Sequence, residues 1–105
     1  MTNSPTEFVY DMGYTQLEFA KVLNSGFTSE ASPYRCQPLS ADSWLITDQQ
    51  SPLKVNIQLK PLPPRVLGAI ALPVLNVKFN IMEDAENQSA QFLEKFFKYF
   101  HKGGG

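Results

Sequence analysis

The chain has a single cysteine, Cys36, and a single histidine, His101, in 105 residues. One cysteine excludes an internal disulfide framework and any multi-cysteine metal site. One histidine leaves acid–base or metal chemistry with very little to work with. No stretch approaches the roughly 18 apolar residues that a membrane-spanning helix needs. The longest apolar run, "VLGAIALPVL", is interrupted by Pro73. The opening "MTNSPTEFVYD" has neither a basic n-region nor an apolar h-region, so no signal peptide is read there and a cytoplasmic location is expected. Glycine-rich phosphate loops, nucleophile motifs, internal repeats and low-complexity tracts are missing too, apart from the three terminal glycines.

What is present is ordinary globular composition: 43% hydrophobic and 18% charged residues, with a net charge of −1. That argues against disorder and gives no global pull toward nucleic acid or anionic lipid. The charge is unevenly divided. Through Pro52, Lys21 and Arg35 stand against six carboxylates; from Leu53 onward, seven cations stand against four. Such a split makes the molecule a dipole. The length fits one domain, residues 1–105, with residues 1–5 and 103–105 expected to be flexible.

Local patterns predict the elements. "EFVYDM" reads as a first strand. In "TQLEFAKVLNSG", Thr15 and Glu18 form a capping box, in which each side chain satisfies a backbone N–H at the helix start. Gly26 reads as the left-handed stop of that helix. Phe19, Ala20, Val22 and Leu23 share its apolar face, while Leu17 falls unexplained on the polar side. "YRCQ" is a short strand within a turn-rich stretch. "SWLITD" is a strand with Trp44 and Ile46 on one face, and "QQSP" is a turn. "LKVNIQLK" alternates strictly, with Leu53, Val55, Ile57 and Leu59 inward and Lys54, Asn56, Gln58 and Lys60 outward, the mark of an antiparallel strand with one wet face. "PLPP" is expected to break it. "RVLGAIAL" then reads as a separate, more buried strand, and "VLNVKFNIM" as another alternating one.

The last element is predicted from about Asp84, as its cap, to Lys102, with Gly103 as its stop. Phe92, Leu93, Phe96, Phe97, Tyr99 and Phe100 lie within an arc of about 160° on a helical wheel. The arc is wider than the ~100° stripe a surface helix usually buries, which leaves Phe97 or Tyr99 at its edges for a partner. The order strand, helix, antiparallel strands, helix predicts an α+β two-layer sandwich. Its sheet is mainly antiparallel, with four to five strands and with the N-terminal and C-terminal helices packed on one face.

Function is less legible. The missing catalytic motifs point to a non-enzymatic binding or adaptor domain, with no cofactor and no metal, taking a protein partner, a second copy of itself or a small anionic ligand. Arg65, held at a strand start by Pro61, Pro63 and Pro64, is the candidate anion-binding residue, with Lys60 and Arg35 beside it. Two alternatives stand against this reading. One is a carrier that uses its C-terminal diglycine; the other is a small enzyme with a site near Arg65. Cys36 beside Arg35 raises the question of a lowered thiol pKa, but an inert half-buried thiol fits the residue better, since only His101 could serve as its base. The outward strand positions hold lysine, asparagine and glutamine without aromatics, which disfavours base stacking and hence nucleic acid. A membrane-surface role for the last helix is disfavoured by the glutamates among its lysines.

Overall fold

The computed structural model describes residues 6–27, 29, 31–84 and 88–100. Five strands form one antiparallel sheet in the order β1-β5-β4-β3-β2. They are β1 (Thr6–Met12), β2 (Tyr34–Ser40), β3 (Ser43–Asp48), β4 (Lys54–Leu67) and β5 (Ile70–Glu83). Strands β2 to β5 follow one another as a meander, and β1 adds at the far edge against β5.

Helix α1 (Gln16–Val22) begins as its sequence dictates. The Glu18 amide donates to Thr15 Oγ1 at 3.1 Å, and the Thr15 amide donates to Glu18 Oε1 at 2.9 Å, closing the capping box. Its end differs from expectation. Gly26 is not left-handed; the one positive-φ glycine among the described residues is Gly68, at 62°. The helix instead widens into a π turn, Leu23–Phe27. That turn delivers Phe27 to the core, where its ring stacks on Tyr34 at 5.1 Å and 8°. Burial of one aromatic ring, worth roughly 1.5–3 kcal/mol, outweighs the poorer hydrogen-bond geometry of a single π turn. Leu17 is exposed.

Helix α2 (Ser89–Tyr99) has Gln88 as its N-cap, four residues later than the expected Asp84, although Asp84 Oδ1 still accepts from the backbone amides of Gln88 and Ser89 at the helix start. His101, Lys102 and the terminal glycines lie outside the described residues, as do residues 1–5. Phe92, Phe96 and Phe100 of the predicted apolar arc are buried, Leu93 and Phe97 are partly buried, and Tyr99 is half exposed. Both helices cover the same sheet face. Phe19 of α1 meets Trp44 of β3 and Phe96 of α2, while Phe92 and Phe96 meet Phe79 of β5 edge-on. Below them lie the inward residues of the alternating strands, Val55, Ile57 and Leu59 of β4 and Leu75, Val77, Phe79 and Ile81 of β5. The Tyr14 hydroxyl donates to the Phe100 carbonyl at 2.6 Å, so a residue next to the first helix satisfies an acceptor at the end of the last.

The main correction concerns residues 61–73. "PLPP" does not break the strand; β4 runs through it. "RVLGAIAL" is not a separate buried strand. It is the end of a long hairpin that turns at Gly68 and Ala69 and returns as β5, with Leu67 paired to Ile70. A two-residue turn of this kind needs positive φ, which glycine adopts without steric cost.

Candidate interaction site: the projecting hairpin arm

Strand β3 pairs with β4 only as far as Gln58, opposite Ser43, and β1 pairs with β5 only as far as Leu75, opposite Met12. Past those points, apart from the Leu59 amide, which donates to the Asp42 carbonyl at 2.8 Å, the two strands pair only with each other. The remaining five residues of β5 extend about 16 Å at ~3.3 Å per residue. The described molecule is accordingly elongated, 49 Å against 34 and 26 Å.

The register slips within this arm. Leu62 pairs with Val74 and Arg65 with Leu72, so β4 takes three steps where β5 takes two. The extra residue falls at Pro63 and Pro64, which have no N–H to give to the ladder, and a bulge there removes no hydrogen bond that those residues could have made. The slip also inverts the alternation of β4. Before it, even-numbered residues such as Lys60 face away from the helices. After it, Arg65 and Leu67 do, together with Ile70 and Leu72 of β5, while Val66 and Ala71 turn to the other side. Both sides of the arm are therefore apolar and both are open to solvent: Val66 is 68% exposed, Leu67 55%, Ile70 61% and Leu72 43%. Scattered exposed leucines need no explanation, but four exposed aliphatic side chains on one projecting ribbon make it a candidate interaction surface.

The three cations singled out from the sequence do not converge. Arg35 lies on the edge strand β2, paired with Thr47, which in turn pairs with Lys54. That places Arg35 about 10 Å sideways from β4 and about 20 Å along it from Lys60, at ~4.8 Å per strand and ~3.3 Å per residue. It is also occupied. With the Gln49 amide oriented to satisfy both groups, its oxygen accepts from Arg35 Nη2 at 2.8 Å and from Nε at 2.9 Å. Lys60 and Arg65 share β4 and the same sheet face, five residues apart. Lys60 pairs with Asn76, whose Nδ2 donates to Asp11 Oδ1 at 2.9 Å. Arg65 and Asp11 line a hollow of about 150 Å³ at the base of the arm, together with Met12, Gly13, Leu72 and Pro73. Among the described residues, Lys78–Glu7 at 3.8 Å is the one ion pair, so Lys60 and Arg65 reach none of the described carboxylates at that range.

Elsewhere, Cys36 is half-buried on β2, as the inert reading of this thiol expects, and burial pushes it up from 9.0 to about 11, so the neighbouring Arg35 does not activate it. A second hollow of about 450 Å³ lies between Phe27, Tyr34 and the Lys95, Lys98 and Tyr99 side of α2. No group of three histidine, cysteine, aspartate or glutamate residues among those described is placed to hold a metal ion. No described helix is long and apolar enough to cross a membrane. The uncovered sheet face presents Lys54, Asn56, Gln58, Lys60, Asn76, Lys78 and Asn80, again without an aromatic ring.

The arm itself escaped sequence reasoning. The signal that could have found it is the glycine-containing two-residue turn between two apolar runs, the usual hairpin signature. It was masked because an uninterrupted apolar run reads equally well as a buried strand. Comparison with protein-family models, with curated proteins and with solved structures finds no match to this chain.

Proposed function

We propose that this chain is a non-enzymatic binding domain that acts in the cytoplasm and presents the β4–β5 arm to a protein partner. The observation that carries the reading is the simultaneous exposure of Val66, Leu67, Ile70 and Leu72 on a ribbon that no other element of the described fold covers. Aliphatic surface of this kind costs about 25 cal/mol for each Å² left in water, and burial against a partner recovers that cost. Contact through side chains fits better than strand addition, because Pro61, Pro63 and Pro64 remove donors from the free edge of β4 and Pro73 removes one from β5.

The test is site-specific photo-crosslinking of the full chain in its native host, with a photoreactive residue at Ile70 and, as control, at Gln58 on the polar sheet face. The proposal expects a covalent polypeptide adduct at Ile70 and none at Gln58. No adduct at Ile70, or equal yields at both positions, overturns it. An adduct of twice the chain mass identifies the partner as a second copy.

A further inference from the structure

Resting on that reading, we infer that the arm's partner is a different protein that offers an apolar surface bordered by carboxylates. The charge pattern of the hairpin carries the inference. From Leu53 to Met82 there are four cations, Lys54, Lys60, Arg65 and Lys78, and no acidic residue. Of these, Lys78 is paired with Glu7 across to β1. Lys60 and Arg65, both exposed, flank the apolar end of the arm on its β4 side. Two carboxylates stand at the base of the arm: Asp11 accepts from Asn76 while lining the hollow it shares with Arg65, and Asp42, whose carbonyl accepts from the Leu59 amide, accepts through its side chain from the Ser40 hydroxyl. A surface that covers Leu67, Ile70 and Leu72 must therefore meet two cations at its border. Carboxylates at that border gain Coulombic attraction and steer the encounter, whereas cations there raise the energy.

The same pattern argues against the other two occupants. A second copy laid arm against arm brings Lys60 and Arg65 of one chain toward those of the other, which like-charge repulsion opposes. A lipid bilayer attracts the cations, but the arm is a two-stranded ribbon with both edges unpaired. Hydrocarbon cannot satisfy the backbone groups along those edges, whereas a protein surface can. The arm, residues 61–74, also lacks the aromatic residues that usually anchor a segment at the membrane interface.

The test uses the full chain and two synthetic amphipathic helical peptides with one identical leucine stripe, flanked by glutamates in the first and by lysines in the second. Binding is read by amide chemical shifts and by titration. The expected result is shift changes concentrated in residues 62–74, and an affinity for the glutamate peptide at least roughly tenfold above that for the lysine peptide. That preference narrows as salt is raised. Arg65→Glu should reverse or abolish it, and Leu67→Asp should abolish binding of both peptides, with both variants melting like the parent. Equal affinities, preference for the lysine peptide, or no binding of either overturns the inference. So does co-sedimentation with vesicles containing phosphatidylglycerol that outcompetes the glutamate peptide, which assigns the arm to membranes. A concentration-dependent doubling of mass that Leu67→Asp removes overturns it in favour of a second copy. A polypeptide adduct at Ile70 in the crosslinking experiment, with no peptide preference here, leaves the arm as the contact element and removes only the acidic border.

Discussion

Phe96 is the residue around which the core closes. Its ring is fully buried and stacks on Phe100 at 4.1 Å, while Phe79 and Phe97 meet it edge-on. Phe96→Ala should cost roughly 3–5 kcal/mol, a large part of a small domain's stability, and chemical denaturation measures the loss. This much was legible in the sequence, because helical spacing places Phe92, Phe96 and Phe100 on one stripe whatever they pack against. The inert, half-buried character of Cys36 was also the favoured reading, whereas the size of the burial effect depends on residues distant in the chain. Burial raises the thiol from 9.0 to about 11 and also raises Tyr14 and Tyr34 above their ordinary value of 10.0, each chiefly by desolvation. A group whose folded pKa is raised supports the fold fully below its unfolded pKa and loses that support as pH climbs through the folded one. The melting midpoint should therefore be insensitive to these three groups at neutral pH and should fall as pH rises from about 9 to 11. Cys36→Ala should soften the fall, and a profile that stays flat across that window contradicts the burial of Cys36.

At the scale of elements, alternating strands and capped helices were readable because each is a local pattern. Lys54 to Lys60 and Leu75 to Met82 alternate as expected, and Thr15 with Glu18 closes the predicted cap. The failures came where a local signal met a tertiary one. Gly26 looked like a helix stop, but the pull of Phe27 into the core carried the chain on through a π turn. Pro61 to Pro64 looked like a strand break, but along the free edge and at the bulge of a two-stranded ribbon a missing donor harms little. The turn of the arm makes its own prediction. A Cβ at Gly68 would meet nothing within 4 Å, so substitution there acts through backbone strain alone. Gly68→Val should cost about 1–2 kcal/mol and loosen the arm, Gly68→Asn should cost less, and amide exchange along Arg65 to Leu72 should report the difference while the core is unchanged.

The whole molecule divides its labour by position. Aromatic rings of two helices and the inward strand residues hold one end of the sheet together, while at the other end β4 and β5 run on past their neighbours with aliphatic side chains in solvent. The division of charge seen in the sequence follows the same line, because the hairpin that projects is the stretch without carboxylates. The fold class was legible because periodicity fixes how many faces need cover. The candidate site was not, because the sequence offered cations as its most reactive groups and the structure spreads Arg35, Lys60 and Arg65 over two strands rather than one pocket.

The most direct measurement of the central claim compares the parent with the Leu67→Asp, Ile70→Asp double variant in native size-exclusion profiles of host lysate. The parent should elute in a species larger than its own 11.8 kDa. The variant, at the same cellular level and with the same melting midpoint, should elute as the lone chain. A parent that elutes alone, or a variant that co-elutes with the parent's larger species, contradicts the assignment of the arm as the contact element.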